Sequence, residues 1–224
     1  MHIPSVNTTA SLAVLSFEEA LEKALLPQND YNSETWLYVP PVYDEYRYIL
    51  GTRGKKPLIC IGINPSTAAP DHLDNTLKSV ERIAHFNGFD SFIMFNLYPQ
   101  RATNPDDMEK TCNAYLHAEN MKAFEYALNL SETGNTPAVW AAWGAIIEKR
   151  RYLFECVGDM VKIGQKYGVN WFTAGSRSKV GHPHHPLYLP KNSLLEPFDP
   201  EPYIHSFLHG HFRSSDHRFA KKFK

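Results

Sequence analysis

The sequence predicts an α/β protein, a three-layer αβα sandwich around a central parallel sheet of about four strands. Two observations predict it. Apolar segments of strand length recur along the chain with helix-length amphipathic segments between them, the pattern of βαβ units with right-handed crossovers. Each apolar segment also runs into a polar or glycine-bearing loop: Gly62-Ile63-Asn64-Pro65, then Asn96, then Trp143-Gly144. Loops at the carboxyl ends of parallel strands are where ligands collect, because helix N-termini and free backbone amides converge there.

The expected strands are residues 58–63, 92–97, 138–143 and 170–174. Between the first two, Leu77, Val80 and Ala84 fall on one helical face. After the second, Asn104-Pro105-Asp106-Asp107 reads as a helix start, with Asn as N-cap, Pro in the first turn and two carboxylates at the positive end of the dipole. Met108, Cys112, Tyr115, Ala123, Ala127 and Leu128 supply the apolar side of that helix. Ile147, Leu153, Val157, Met160 and Val161 mark the next. Nearer the N-terminus, residues 16–25 form a possible helix, followed by an aromatic, Pro-rich stretch over 31–48 expected to pack along the core.

At 224 residues, 43% hydrophobic and 21% charged, the chain can bury one sizeable core. One α/β domain over 1–224 is expected: a core of about 46–190, an N-terminal extension 1–45 and a His- and aromatic-rich C-terminal extension 191–224. A formal net charge of -1 gives no global positive field, so nucleic-acid binding would need a local patch drawn from Lys149-Arg150-Arg151, Arg177, Lys179 and the basic tail 213–224. Cys60, Cys112 and Cys156 show no close pairing and no C-x-x-C spacing, so a reduced, cytoplasmic protein is expected. No charged-then-apolar leader is apparent, and no apolar run approaches the roughly 18 to 20 residues that cross a bilayer.

Four polar constellations carry the candidate chemistry. The first is Gly62-Ile63-Asn64-Pro65-Ser66-Thr67 with Asp71 and Asp74-Asn75-Thr76; it reads either as a turn and a capped helix or as a ligand loop. The second is residues 96–103, where Asn96 closes a strand and Arg101 adds a planar donor fork suited to phosphate or carboxylate. The third is Trp140-Ala141-Ala142-Trp143-Gly144, which by itself reads as core tryptophans before a helix. The fourth is Gly181-His182-Pro183-His184-His185-Pro186-Leu187-Tyr188, whose histidines are poorly spaced for zinc and lack a paired Cys or carboxylate. Neither a metal nor a cofactor is expected.

In this order the four motifs resemble those of the uracil-DNA glycosylase superfamily. Gly62-Ile63-Asn64-Pro65 is similar to the first motif of its mismatch-specific branch, Asn96 with Pro99 to the second, Ala142-Trp143-Gly144 to its Leu-Trp-Gly strand end, and His185-Pro186-Leu187 to its His-Pro-Ser-Pro loop. More closely, Asn64-Pro65-Ser66-Thr67-Ala68, Asp74-Asn75-Thr76, Asn96-Leu97, Arg101-Ala102-Thr103, Ala142-Trp143-Gly144 and His185-Pro186-Leu187-Tyr188 resemble the family of the domain of unknown function 1643, over roughly residues 46–190. The first resemblance implies a uracil-DNA glycosylase-like fold with Asn64 and His185 as catalytic residues. Asn64 would orient a water at the sugar carbon of an N-glycosidic bond, His185 would stabilise the departing base, and Asn96 would read the edge of a flipped base. Ser66, Thr67, Asp74 and Arg101 belong to the second resemblance rather than to glycosylases, which points to a different ligand; with Trp143 they complete the expected substrate-binding set. The chain departs from the superfamily in having no Phe, Tyr or Trp between Pro65 and His85 to serve as a stacking shelf, and in placing Leu187-Tyr188 where Ser-Pro would stand.

Three functions follow as alternatives. One is an enzyme hydrolysing an N-glycosidic bond in a nucleoside, nucleotide or nucleic acid. Another is a hydrolase or transferase acting on a different small molecule in the same pocket. The third is a non-catalytic nucleotide or nucleic-acid binding module.

Overall fold

The structure, a computed structural model, describes residues 1–210; the basic tail noted in the sequence lies outside the described residues. Three strands and a helix form the N-terminal third: α1 (Phe17–Leu25), β1 (Trp36–Val39), β2 (Ile49–Thr52) and β3 (Pro57–Gly62). Next come α2 (Asn75–Phe86), β4 (Ser91–Asn96), α3 (Ala114–Leu128) and β5 (Ala138–Ala141). The chain continues through α4 (Tyr152–Lys166), β6 (Asn170–Ala174), β7 (Leu195–Pro197) and α5 (Pro200–His205).

All strands among the described residues belong to one seven-stranded sheet in the order β1-β2-β4-β3-β5-β6-β7. The four segments anticipated from the sequence are β3, β4, β5 and β6, and they pair parallel to one another at its centre. The count of about four is corrected to seven, because β1, β2 and β7 add antiparallel edges. They are short and lie in the aromatic, Pro-rich ends, where period-2 patterning is interrupted and only pairing with a neighbour defines a strand. Edge extension also protects the parallel core: β4 and β6 would otherwise present unpaired backbone groups.

Helices cover both faces. Leu58, Cys60, Phe92, Met94 and Trp140 point to the face held by α2, through Leu77, Val80, Ile83 and Ala84. Ile59, Ile61, Ile93, Phe95 and Val139 point to the other, which packs against α1, α3, α4 and α5. Alternation along each strand therefore feeds two cores, and because both faces are buried the central strands read as unbroken apolar runs.

Helix starts follow local chemistry. Ser16 and Glu19 form a reciprocal capping box on α1, and Asp74 accepts from Leu77 N at 2.9 Å to cap α2. The helix expected from Asn104 does not begin there. Asn104 caps only a 3-10 turn, Pro105–Asp107, and α3 starts at Ala114, capped by Asn113, whose Oδ1 accepts from Tyr115 N and Leu116 N. The intervening residues turn Glu109 inward, where it accepts from Thr9 N and Thr9 Oγ1 at 2.8 Å each, from Thr8 Oγ1 and from Tyr98 Oη. A buried carboxylate with that many donors outweighs the helical hydrogen bonds forgone. In the same way Ile147 belongs to a 3-10 segment, Gly144–Lys149, ahead of α4.

Asn113→Ala is expected to cost about 1–2 kcal/mol in chemical denaturation, as loss of a helix cap does, whereas Asn104→Ala should fall within about 0.5 kcal/mol of the wild type, as exposed surface changes do. Equal costs would return the helix start to Asn104.

Candidate functional site

The parallel strands in sheet order are β4-β3-β5-β6, so the chain leaves β3 in one direction to β4 and then crosses back over it to β5. A crevice must open outside the carboxyl ends of strands at such a reversal. It does: a cleft of about 930 Å³ lies there, lined by residues 62–67, Asp74-Asn75-Thr76, Asn96, Ala102-Thr103, Gly144 to Ile146, residues 176–179 and residues 182–185. Smaller clefts of about 560 and 700 Å³ run along α4, away from the strand ends.

Asn64, Ser66, Thr67, Asp74, Asn96 and His185 all line this cleft. Asn96 closes β4 opposite Gly62 of β3 and is 1% exposed. Neither its Nδ2 nor its Oδ1 has a hydrogen-bond partner. The sheet makes room for it with glycine, since a Cβ at Gly62 would stand 3.3 Å from Asn96 Oδ1. Asn64 is anchored by its amide nitrogen, which donates to Ala102 O at 2.7 Å and Pro65 O at 3.1 Å. That leaves its Oδ1 as the polar atom turned to a ligand or water.

His185 caps the 3-10 turn Pro186–Tyr188, its Nδ1 accepting from Leu187 N at 3.3 Å. An accepting Nδ1 places the proton of the neutral ring on Nε2, which is therefore a donor. Burial pushes the His185 imidazole below its ordinary value, with Asp74 opposing and His184 adding to the shift. The ring is thus neutral at pH 7. Gly144 packs directly against it: its φ of +63° is a left-handed conformation, and an added Cβ would sit 3.5 Å from His185 Cβ.

Arg101 and Trp143 are placed behind the cleft wall rather than in it. Arg101 is fully buried and donates from Nη1 to Ser66 O and to Ala68 O at 3.4 Å, and from Nη2 to Tyr38 Oη at 2.9 Å, while its guanidinium covers the Tyr43 ring at 4.1 Å. The fork expected to meet a ligand phosphate is engaged instead by the backbone of the Ser66 loop. Trp143, also fully buried, donates from Nε1 to Tyr203 Oη at 3.0 Å. Tyr203 Oη meets His182 Nδ1 at 2.9 Å, and His182 Nε2 meets Glu148 Oε1 at 2.9 Å. Through this relay Trp143 holds the loop that carries His185.

Sequence reasoning missed Arg47, which is 1% exposed, reaches the cleft, and donates from Nη1 to Ala68 O at 3.0 Å. Burial, then the neighbouring Arg101, pushes it down to about 9, so it stays charged at neutral pH. Among the described residues neither arginine has a salt bridge, and both Nε atoms lack a partner. The only cue was a cation between two aromatics, Tyr46-Arg47-Tyr48, in an otherwise buried stretch. Thr103, part of the 96–103 motif but given no role from sequence, also lines the cleft, and its Oγ1 pairs with Ser66 Oγ at 3.1 Å.

An α/β sheet with a polar cleft at its topological reversal is the class of protein that fold and site define. Residues 47–187 match the family described as protein of unknown function DUF1643, and the chain belongs to that family. No curated protein and no solved structure matches the chain significantly. Among the described residues no helix is long and apolar enough to cross a membrane.

Arg101→Lys should destabilise the fold by about 2–3 kcal/mol, because an ammonium cannot reproduce a fork that serves two carbonyls and a phenol. Urea unfolding reads it, and a change under about 0.5 kcal/mol would remove Arg101 from the loop's support. For His185 the folded state binds the proton less well than the unfolded chain, so stability falls as pH drops below the ordinary value of 6.5. His185→Gln should flatten that fall, measured as Tm at about pH 7.5 and about pH 5.5; identical slopes in both proteins would contradict it.

Proposed function

We propose that this protein is a uracil-DNA glycosylase-like enzyme that hydrolyses the N-glycosidic bond of a nucleobase-containing substrate. The observation that carries the reading is Asn96, a buried amide with both donor and acceptor unpaired on the cleft wall. Leaving both atoms unmatched costs on the order of 1–3 kcal/mol each, so a ligand offering a complementary donor–acceptor edge recovers that cost on binding. The lactam edge of a base is such a group. The motif resemblance assigns the same position to base reading.

The remaining groups fit one reaction. Asn64 Oδ1, fixed by the anchoring of its own amide nitrogen to Ala102 O, orients a water at the sugar carbon. An amide is a weak base, so rate must come from stabilising the departing base anion. His185 contributes a neutral Nε2–H donor to that anion. Arg47 and Arg101, buried without carboxylate partners, add positive potential under the Ser66 loop. Arg177 and Lys179, exposed at the cleft rim, suit a phosphate of the substrate. Tyr188, 76% exposed beside the cleft, supplies the stacking face that is missing between Pro65 and His85.

Release of free base from nucleosides, nucleotides and uracil-, hypoxanthine- or mismatch-containing DNA, followed by chromatography, tests this directly. His185→Ala should lower kcat by about 10²–10³-fold, as loss of one oxyanion-type donor does, with little change in substrate binding. Asn96→Ala should abolish binding yet leave thermal stability unchanged or raised, because it removes an unsatisfied amide. Nucleotide binding that depends on Asn96, without release of base from any substrate, would establish the non-catalytic binding module instead.

A further inference from the structure

On the sheet face away from α2, the start of α3 meets the first half of α4. Cys112 immediately precedes the cap of α3, His117 stands in its first turn, and Cys156 and Asp159 lie one turn apart on α4. One donor atom each from Cys112, His117 and Cys156 lies within 4.8 Å of the others. Cys156 Sγ is 3.5 Å from His117 Nδ1. A tetrahedral zinc ion, with Zn–S about 2.3 Å and Zn–N about 2.0 Å, separates its sulfur and nitrogen ligands by about 3.5 Å.

The orientation of the imidazole points the same way. His117 Nε2 faces Asp159 Oδ2 at 3.1 Å, and an ionised carboxylate only accepts, so Nε2 carries the proton and Nδ1 turns its lone pair to the sulfurs. A carboxylate on the far nitrogen is the arrangement that fixes ring and tautomer in metal-bound histidines. Asp159 is itself held by Lys162 Nζ at 2.9 Å.

We propose that Cys112, His117 and Cys156 form a binding site for a thiolate-preferring divalent cation, zinc above all. Binding exchanges two thiol protons, released to solvent, for two metal–sulfur bonds, and water takes the fourth position on the half-exposed Cys112 side. The ion would clip the end of the β4–α3 connection to α4. That connection includes Ala102 and Thr103, which line the cleft, so the metal stiffens one cleft wall without touching a ligand there. The proposal is independent of the reaction assigned to the cleft.

The test uses the full chain, reduced and stripped with chelator, titrated with Co²⁺ alone and then with Zn²⁺ alone. One Co²⁺ per chain with a thiolate-to-metal charge-transfer band, displaced by Zn²⁺, and a rise in Tm with Zn²⁺ are expected. Cys112→Ser, at a half-exposed position, should lose both the band and the Tm rise, as should His117→Gln. Asp159→Asn should keep the band but weaken affinity about 10–100-fold, the usual effect of removing such an outer partner. Absence of the band in the reduced wild type, or its persistence in Cys112→Ser, overturns the site. So does loss of two titratable thiols on mild oxidation in a protein that takes up no metal, which would make the pair a redox couple.

Discussion

The parallel pairing of β3 with its two neighbours sets where every functional group can stand. Gly62 pairs with Asn96 on one side and Ile61 with Ala141 on the other, so the three strands end at the same level. Asn64, Asn96 and Gly144 then emerge together from chain positions far apart. Period-2 geometry makes this register steep: a slip by one residue would turn Asn96 from the cleft to the helix face and bring Phe95 into its place. Both faces of the sheet are buried, so such a slip has no cheap alternative packing.

Around that frame the polar interior is unevenly satisfied, and the unevenness is informative. Glu109 is saturated by donors from the N-terminal segment and Tyr98, and it ties residues 1–11 to the loop before α3. Asn120 donates to Asn96 O at 3.0 Å and to Leu97 O at 3.3 Å, holding the backbone where the cleft begins. The Asn96 side chain, one bond series away, is left without partners. A fold that satisfies the backbone of a residue while leaving its amide open has positioned that amide for something other than stability. The two arginines beneath the Ser66 loop, which among the described residues have no carboxylate partner, follow the same logic, at a desolvation cost that a core would not carry without return.

The strands and their polar ends were legible because they depend on local rules. An apolar run of strand length broken by Asn-Pro or Gly can be read without knowing its neighbours, as can the cap at Asp74. The start of α3 was misplaced because Asn104-Pro105 and Asn113 are both competent caps, and the choice between them was made by Glu109, whose partners Thr8 and Thr9 lie about a hundred positions earlier. Arg101 was read as a ligand group for a related reason: its guanidinium is equally suited to phosphate and to carbonyls, and only the path of the Ser66–Ala68 backbone decides between them. The edge strands were hidden because their patterning is weak and their identity comes from pairing.

By itself the sequence determined the α/β class, the four parallel strands, the polar loops at their ends and the family to which the chain belongs, because hydrophobic period, turn chemistry and motif order are properties of neighbouring residues. Tertiary structure alone decided which of those polar groups face one cleft and which are buried behind it. It also decided that Arg47 joins them, and that Cys112 and Cys156, 44 positions apart with no visible pairing, meet at His117. Those outcomes rest on distances set by packing between elements remote in the chain, and no local pattern encodes such a distance.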